Sequence, residues 1–132
     1  MQARARKIQR IVKAQEQLKL AEEWRLRSLD GRLVATEANE RDLVAALGTD
    51  SALHGLFLDT TVRRLRAVAE DVVRIREQRD RQSRKLLASA TLLRTAERLS
   101  AAAEQEMQRE IEKKDLLELI ERLISGADAS LP

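Results

Sequence analysis

Apolar residues recur at steps of three and four through most of this sequence, and no proline interrupts them before Pro132. This spacing is typical of a helix that packs against a second helix along one narrow seam. The step from Leu18 through Glu22 to Leu26 is four plus four, which predicts a stutter in the seam beside Trp24. The seam of the first half comprises Ile8, Ile11, Gln15, Leu18, Glu22, Leu26, Leu29, Leu33, Thr36, Glu40, Leu43 and Leu47.

A cluster of turn-forming residues, Gly48-Thr49-Asp50-Ser51, follows this stripe and predicts a chain reversal, with Gly48 in a left-handed conformation. A second seam runs through Leu58, Val62, Leu65, Ala69 and Val72, then through Arg76 and Arg79, and from Leu86 to Ile111. We therefore expect an all-α fold, a long antiparallel two-helix coiled-coil hairpin that forms a single domain. The expected elements are helix 1 at about 4–47, a tip at 48–58, helix 2 at about 59–125 ended by Gly126, and a frayed tail at 126–132.

The position of the reversal also predicts which residues face each other. If the chain folds back at about residue 53, position i lies opposite position 106 minus i, and the C-terminal helix overhangs beyond about Ser100. By this rule the basic stretch Arg74 to Lys85 faces Ala21 to Arg32, so Trp24 is expected to pack against an arginine.

Composition favours an interaction module over an enzyme. Charged residues make up 36% of the chain, aromatic residues 2%, and there is no cysteine. His54 is the single histidine, so neither a His-rich metal site nor a thiol nucleophile is expected, and we predict no cofactor and no small-molecule substrate. No apolar run reaches the roughly 20 residues that a transmembrane helix needs.

The stretch Arg74 to Lys85 contains six basic and two acidic residues and has two interpretations. It is either a solvated face balanced by acidic residues of helix 1, or a phosphate-binding surface for nucleic acid. The net charge of +3 and the acids that interrupt the run favour the solvated face.

The C-terminal stretch is apolar over more of its circumference than a two-residue seam requires. It predicts a partner interface or self-association through Leu116, Leu119, Ile120 and Leu123, with Leu117 and Ile124 beside them. The alternative is that the tail folds back on the hairpin or pairs in a dimer. A structural coiled coil that forms a homo-oligomer through this helix is thus an alternative function.

Two stretches carry a family resemblance. They are the opening Lys7-Ile8-Gln9-Arg10-Ile11-Val12-Lys13-Ala14-Gln15-Glu16-Gln17 and the charged run Arg109 to Arg122. The first is similar to the start of the first helix in the FliJ family of flagellar export proteins, and the second is similar to the end of many members. The resemblance implies a cytoplasmic hairpin that inserts into the hexameric export ATPase, contacts the export gate at the membrane-embedded export apparatus and has no activity of its own.

The resemblance also implies two binding surfaces. The family's gate contacts lie on an apolar stripe with four-three-four spacing, which Leu58, Val62, Leu65 and Ala69 reproduce, while the aromatic expected on that stripe is displaced to Phe57. Insertion into the ATPase ring would use basic residues near the chain start, here Arg4, Lys7 and Arg10.

Overall fold

The protein is described here by a computed structural model, which covers the backbone of residues 2–48 and 54–130 and the side chains of residues 2–48 and 57–127. It contains two helices over these ranges, α1 (Gln2–Leu47) and α2 (His54–Ser130), and the described residues include no strand. The helices pack against each other as an all-α hairpin, so the predicted fold class is confirmed.

The structure differs from the prediction at Gly48 and at Gly126, the two glycines that were expected to end the helices. Gly48 donates its amide hydrogen to the carbonyl oxygen of Ala45 at 3.1 Å without a positive φ, so the expected left-handed conformation is wrong. Gly126 lies inside α2, which continues to Ser130, because a single glycine costs a helix only about 1 kcal/mol relative to alanine and does not stop it. At the other end α2 begins at His54, inside the predicted tip, and residues 49–53 of that tip lie outside the described residues.

The chain divides into two compact units. One is the hairpin Gln17–Ala90, and the other joins the start of α1, up to Glu16, with α2 from Thr91 onward. In the hairpin unit, Leu33 of α1 packs with Val72 and Ile75 of α2 in a cluster whose members are all at most 8% exposed. This cluster is an apolar core within the hairpin seam.

The seam of α1 follows a strict heptad without the predicted stutter. Ile11 and Leu18 are about half exposed, whereas the neighbouring Val12 and Lys19 lie partly buried on the seam. Lys19 tolerates this position because its aliphatic stem covers apolar surface while its ammonium reaches the Glu23 carboxylate at 4.0 Å. The placement of Ile11 and Leu18 on the seam was therefore wrong.

The seam of α2 differs from the prediction by one residue in its middle. Ile75 is 5% exposed and occupies the position that was assigned to Arg76, which lies on the exposed flank. The observed seam in this region runs through Val72, Ile75, Arg79 and Gln82, in alternating steps of three and four residues. Because Arg76 is not a seam residue, the hairpin core is more apolar here than the sequence indicated.

In the other unit, the buried residues are Ala5 of α1 and Leu93 and Ala96 of α2. Burial continues past the predicted start of the overhang, since Ser100, Ala103 and Met107 are all partly buried. Gln2 of α1 shares a groove with α2 side chains between Met107 and Lys114. An overhang that starts at about Ser100 is therefore wrong, although every side chain from 108 to 127 is exposed.

Candidate interaction surfaces

Three pairs of described residues make polar contacts between α1 and α2 within the hairpin unit. Arg76 contacts the Glu37 carboxylate at 2.9 Å, and Arg79 contacts that of Asp30 at 2.6 Å. Gln82 donates from Nε2 to the backbone oxygen of Glu22 at 3.1 Å and to the Glu22 carboxylate. The α1 partner moves towards the chain start as the α2 residue number rises, which is the antiparallel order.

These contacts differ in what they contribute to stability. The two ion pairs are exposed, and surface pairs of this kind contribute only about 0–1 kcal/mol each. Gln82 is only 6% exposed, so an alignment of the two helices that broke its hydrogen bonds would leave a buried polar group unpaired. That loss costs more free energy than the loss of an exposed ion pair. Buried polar groups at seam positions are known to fix the register of coiled coils, and we assign that role to Gln82 and Glu22.

The basic stretch Arg74 to Lys85 is partly neutralised within the chain. Arg74 pairs with Asp71 one helical turn earlier, and the interhelical pairs engage Arg76 and Arg79. Three of the six basic groups thus already have a carboxylate partner, which supports the solvated-face interpretation. Trp24 lies on the face of α1 away from the seam and is 70% exposed, so the predicted contact with an arginine is not formed.

The stripe inferred for the export gate is divided between the core and the surface. Leu58 is 41% exposed, whereas Val62, Leu65 and Ala69 are partly buried on the side of α2 that faces α1. Phe57 is 58% exposed, one residue before the stripe. The accessible apolar surface in this region therefore lies at Phe57 and Leu58.

The basic residues inferred for the ATPase ring are all accessible. Arg4, Lys7 and Arg10 are exposed on α1, and none of them forms an ion pair with another described residue. Their charges are available to an acidic surface on another protein.

The apolar C-terminal stretch presents its side chains to solvent. Leu116, Leu119 and Leu123 are each at least 51% exposed, and Ile120 is 42% exposed. Sequence reasoning missed two further exposed leucines of α2, Leu92 and Leu99, at 56% and 55%. The two leucines are seven residues apart, and each directly precedes a seam residue. This heptad spacing was the signal that could have identified them.

The residues that the structure describes contain no group of three or more metal-ligating side chains, and no helix among them is long and apolar enough to cross a membrane. The side chain of His54 lies outside the described residues.

No family model matches this chain, and no curated protein or solved structure matches it. The resemblance to the FliJ family stays a prediction from the sequence.

Proposed function

We propose that this chain is a non-enzymatic coiled-coil stalk or adaptor of a flagellar or type III protein-export apparatus, where it binds the export ATPase ring and the export gate in the cytoplasm. The observation that carries the proposal is the antiparallel hairpin with its register set by Gln82 and Glu22. Within the hairpin unit, a helix pair held in one register presents the side chains of both helices in a fixed alignment. The resemblance of Lys7–Gln17 and Arg109–Arg122 supplies the identity of the partners.

The ATPase-facing surface consists of Arg4, Lys7 and Arg10. Basic side chains without an ion-pair partner among the described residues suit an interface with acidic loops, where charge complementarity raises the rate of association. Such an interface weakens as salt screens it.

The first test measures binding of the purified chain to a flagellar export ATPase by calorimetry. We expect the triple substitution of Arg4, Lys7 and Arg10 by Glu to reduce affinity at least tenfold and to leave gate binding unchanged. The matched control makes the same change at Arg81, Arg84 and Lys85, which are also exposed and without an ion-pair partner in the described chain. Equal loss in the control variant, or no binding of the folded parent chain, would contradict the proposal.

The gate-facing surface is tested separately with Leu58→Glu. Leu58 is partly accessible, so we expect weaker binding to the cytosolic part of the export gate without loss of helix content measured by circular dichroism. Leu87→Glu is the control, because Leu87 is 69% exposed in the same hairpin unit but lies outside the inferred stripe. Gate binding that responds equally to both substitutions would rule out a specific role for Leu58.

A further inference from the structure

Five exposed large apolar side chains of α2, from Thr91 onward, share one side of the helix that is not the seam with α1. They are Leu92, Leu99, Leu116, Ile120 and Leu123, with exposed fractions of 42–65%. Their numbers fit one heptad series, since Leu92, Leu99 and Ile120 are multiples of seven apart and so are Leu116 and Leu123. We call this series the second stripe of α2.

The second stripe occupies a different side of α2 from the seam. Leu92 precedes the buried Leu93 by one residue, and Leu99 precedes the partly buried Ser100, so the stripe lies about 100° around the helix from the α1 side. A partner can therefore pack on the stripe while α1 remains in place.

The α1 side of α2 is less apolar than the stripe beyond Met107. Continued past Met107 in heptad steps, the seam with α1 reaches the charged residues Glu110, Lys114 and Glu121 and the apolar residues Leu117 and Ile124. A helix that covered α2 on that side would bury these charges at a cost. The apolar residues Leu116, Ile120 and Leu123 are thus suited to an occupant on the side of the second stripe.

The centre of the second stripe is charged, and its charges indicate the occupant. Glu106 and Arg109 continue the series between the two apolar blocks, and both are exposed. In an antiparallel pair of identical helices that aligns position i with position 215 minus i, Glu106 lies beside Arg109 of the partner subunit, and Arg109 beside the partner's Glu106. In a parallel pair each would meet its own copy, and like charges would repel.

The same alignment also matches the apolar blocks. Leu92 lies beside the partner's Leu123, and Leu99 lies beside the partner's Leu116. The remaining layers are compatible, because Thr95 faces the partner's Ile120 and the small side chain of Ala102 leaves room for the aliphatic stem of the partner's Lys113. The contact would run for about 47 Å along each helix, from Leu92 to Leu123.

We propose that the second stripe of α2 binds a second copy of this chain, antiparallel, with reciprocal Glu106–Arg109 ion pairs at the centre of the interface. The occupant is a second copy because one register satisfies the apolar blocks and the central charges together. This proposal goes beyond the export role and does not depend on it, since the molecular mass of the isolated chain tests it without any export component.

The first experiment measures molecular mass by sedimentation equilibrium over roughly 1–200 μM. We expect a concentration-dependent dimer that Glu106→Arg and Arg109→Glu each weaken at least tenfold, because each change places like charges opposite one another twice in the dimer. An equimolar mixture of the two variants should recover dimerisation, since the hybrid restores both opposite-charge pairs. Asp115→Arg and Arg94→Glu are the matched controls, because these exposed residues lie away from both the stripe and the seam, and they should leave the dimer unchanged.

A second experiment tests the orientation, and the absence of native cysteine makes it simple. A mixture of Leu99→Cys and Leu116→Cys chains should form mainly hybrid disulfide-linked dimers, whereas a parallel pair would form mainly like-with-like dimers. A folded chain that remains monomeric over the whole range would overturn the proposal. So would equal effects of the charge variants and their controls, or preferential like-with-like cross-linking.

Discussion

At the scale of single residues, Gln82 and Glu22 illustrate the difference between stability and specificity. Gln82 is buried, and the Glu22 side chain is only 14% exposed and also accepts a hydrogen bond from Arg25 at 2.9 Å. The burial of such groups stabilises a helix pair less than apolar packing does, but other registers leave them without partners. Their value lies in the alignment that they enforce.

A double-mutant cycle tests this assignment. Gln82→Leu alone should lower the free energy of unfolding by about 1–3 kcal/mol, because the Glu22 carboxylate and backbone oxygen lose a buried donor. Adding Glu22→Leu should recover that loss, since a leucine pair fills the same layer without polar groups. Urea unfolding followed by circular dichroism measures both changes, and simple additivity of the two single substitutions would show that the residues are not coupled.

At the scale of helices, the phase of each seam decides which neighbouring residues are core. Ile75→Ala should lower the free energy of unfolding by about 2–4 kcal/mol, because Ile75 packs with Leu33 and Val72 and its truncation leaves a cavity. Val73→Ala, two residues earlier and 53% exposed, should change it by less than about 0.5 kcal/mol. Urea unfolding of the two variants provides the comparison, and equal losses would mean that the seam of α2 runs along another side.

The sequence predicted the fold and the alignment of the two helices better than it predicted which side of each helix faces its partner. The fold-back rule placed Gln82 opposite position 24, Arg79 opposite position 27 and Arg76 opposite position 30. The observed partners are Glu22, Asp30 and Glu37, so the rule holds to within three residues for the first two pairs and misses the third by seven. Turn residues and helix spacing suffice for that prediction, because loop chemistry and periodicity are local properties.

The side of each helix that forms the seam was harder to predict, because either of two nearby apolar residues could lie on it. Ile11 and Val12 are both apolar, and so are Leu18 and Leu20 on either side of Lys19. Local spacing alone cannot choose between them, whereas packing against α2 placed Val12 and Lys19 on the seam. The binding surfaces are harder still, because contacts with other proteins leave no trace in the packing of a single chain.

At the scale of the whole molecule, charge and apolar surface are distributed unequally. The chain has 25 basic and 22 acidic residues, and the ion pairs among described side chains lie within the hairpin unit. The exposed leucines and isoleucines of α2 concentrate in the other unit, after Thr91. The hairpin unit thus has the ion pairs between the two helices, and the other unit has most of the exposed leucine and isoleucine side chains of α2.

The hairpin can be distinguished from a continuous helix by one distance measurement. Spin labels on Val34→Cys and Val73→Cys, two exposed positions on opposite helices, should lie within about 20 Å of each other, because packed helix axes are about 8–10 Å apart. An unbroken helix through the reversal would separate these positions, 39 residues apart, by about 58 Å. Pulsed electron paramagnetic resonance measures this distance, and a population near the longer value would contradict the hairpin.

Dilution of the doubly labelled chain with unlabelled chain then shows whether the short distance lies within one chain or between two chains. If α1 packs on α2 of the same chain, the short distance between positions 34 and 73 should survive dilution with full amplitude. A helix exchange between copies would make this distance intermolecular, and dilution would reduce its amplitude. The proposed dimer instead joins two chains through Leu92–Leu123. A distance measured between a label at Leu99→Cys on one copy and a label at Leu116→Cys on another is therefore intermolecular. The amplitude of that distance should fall when unlabelled chain is added.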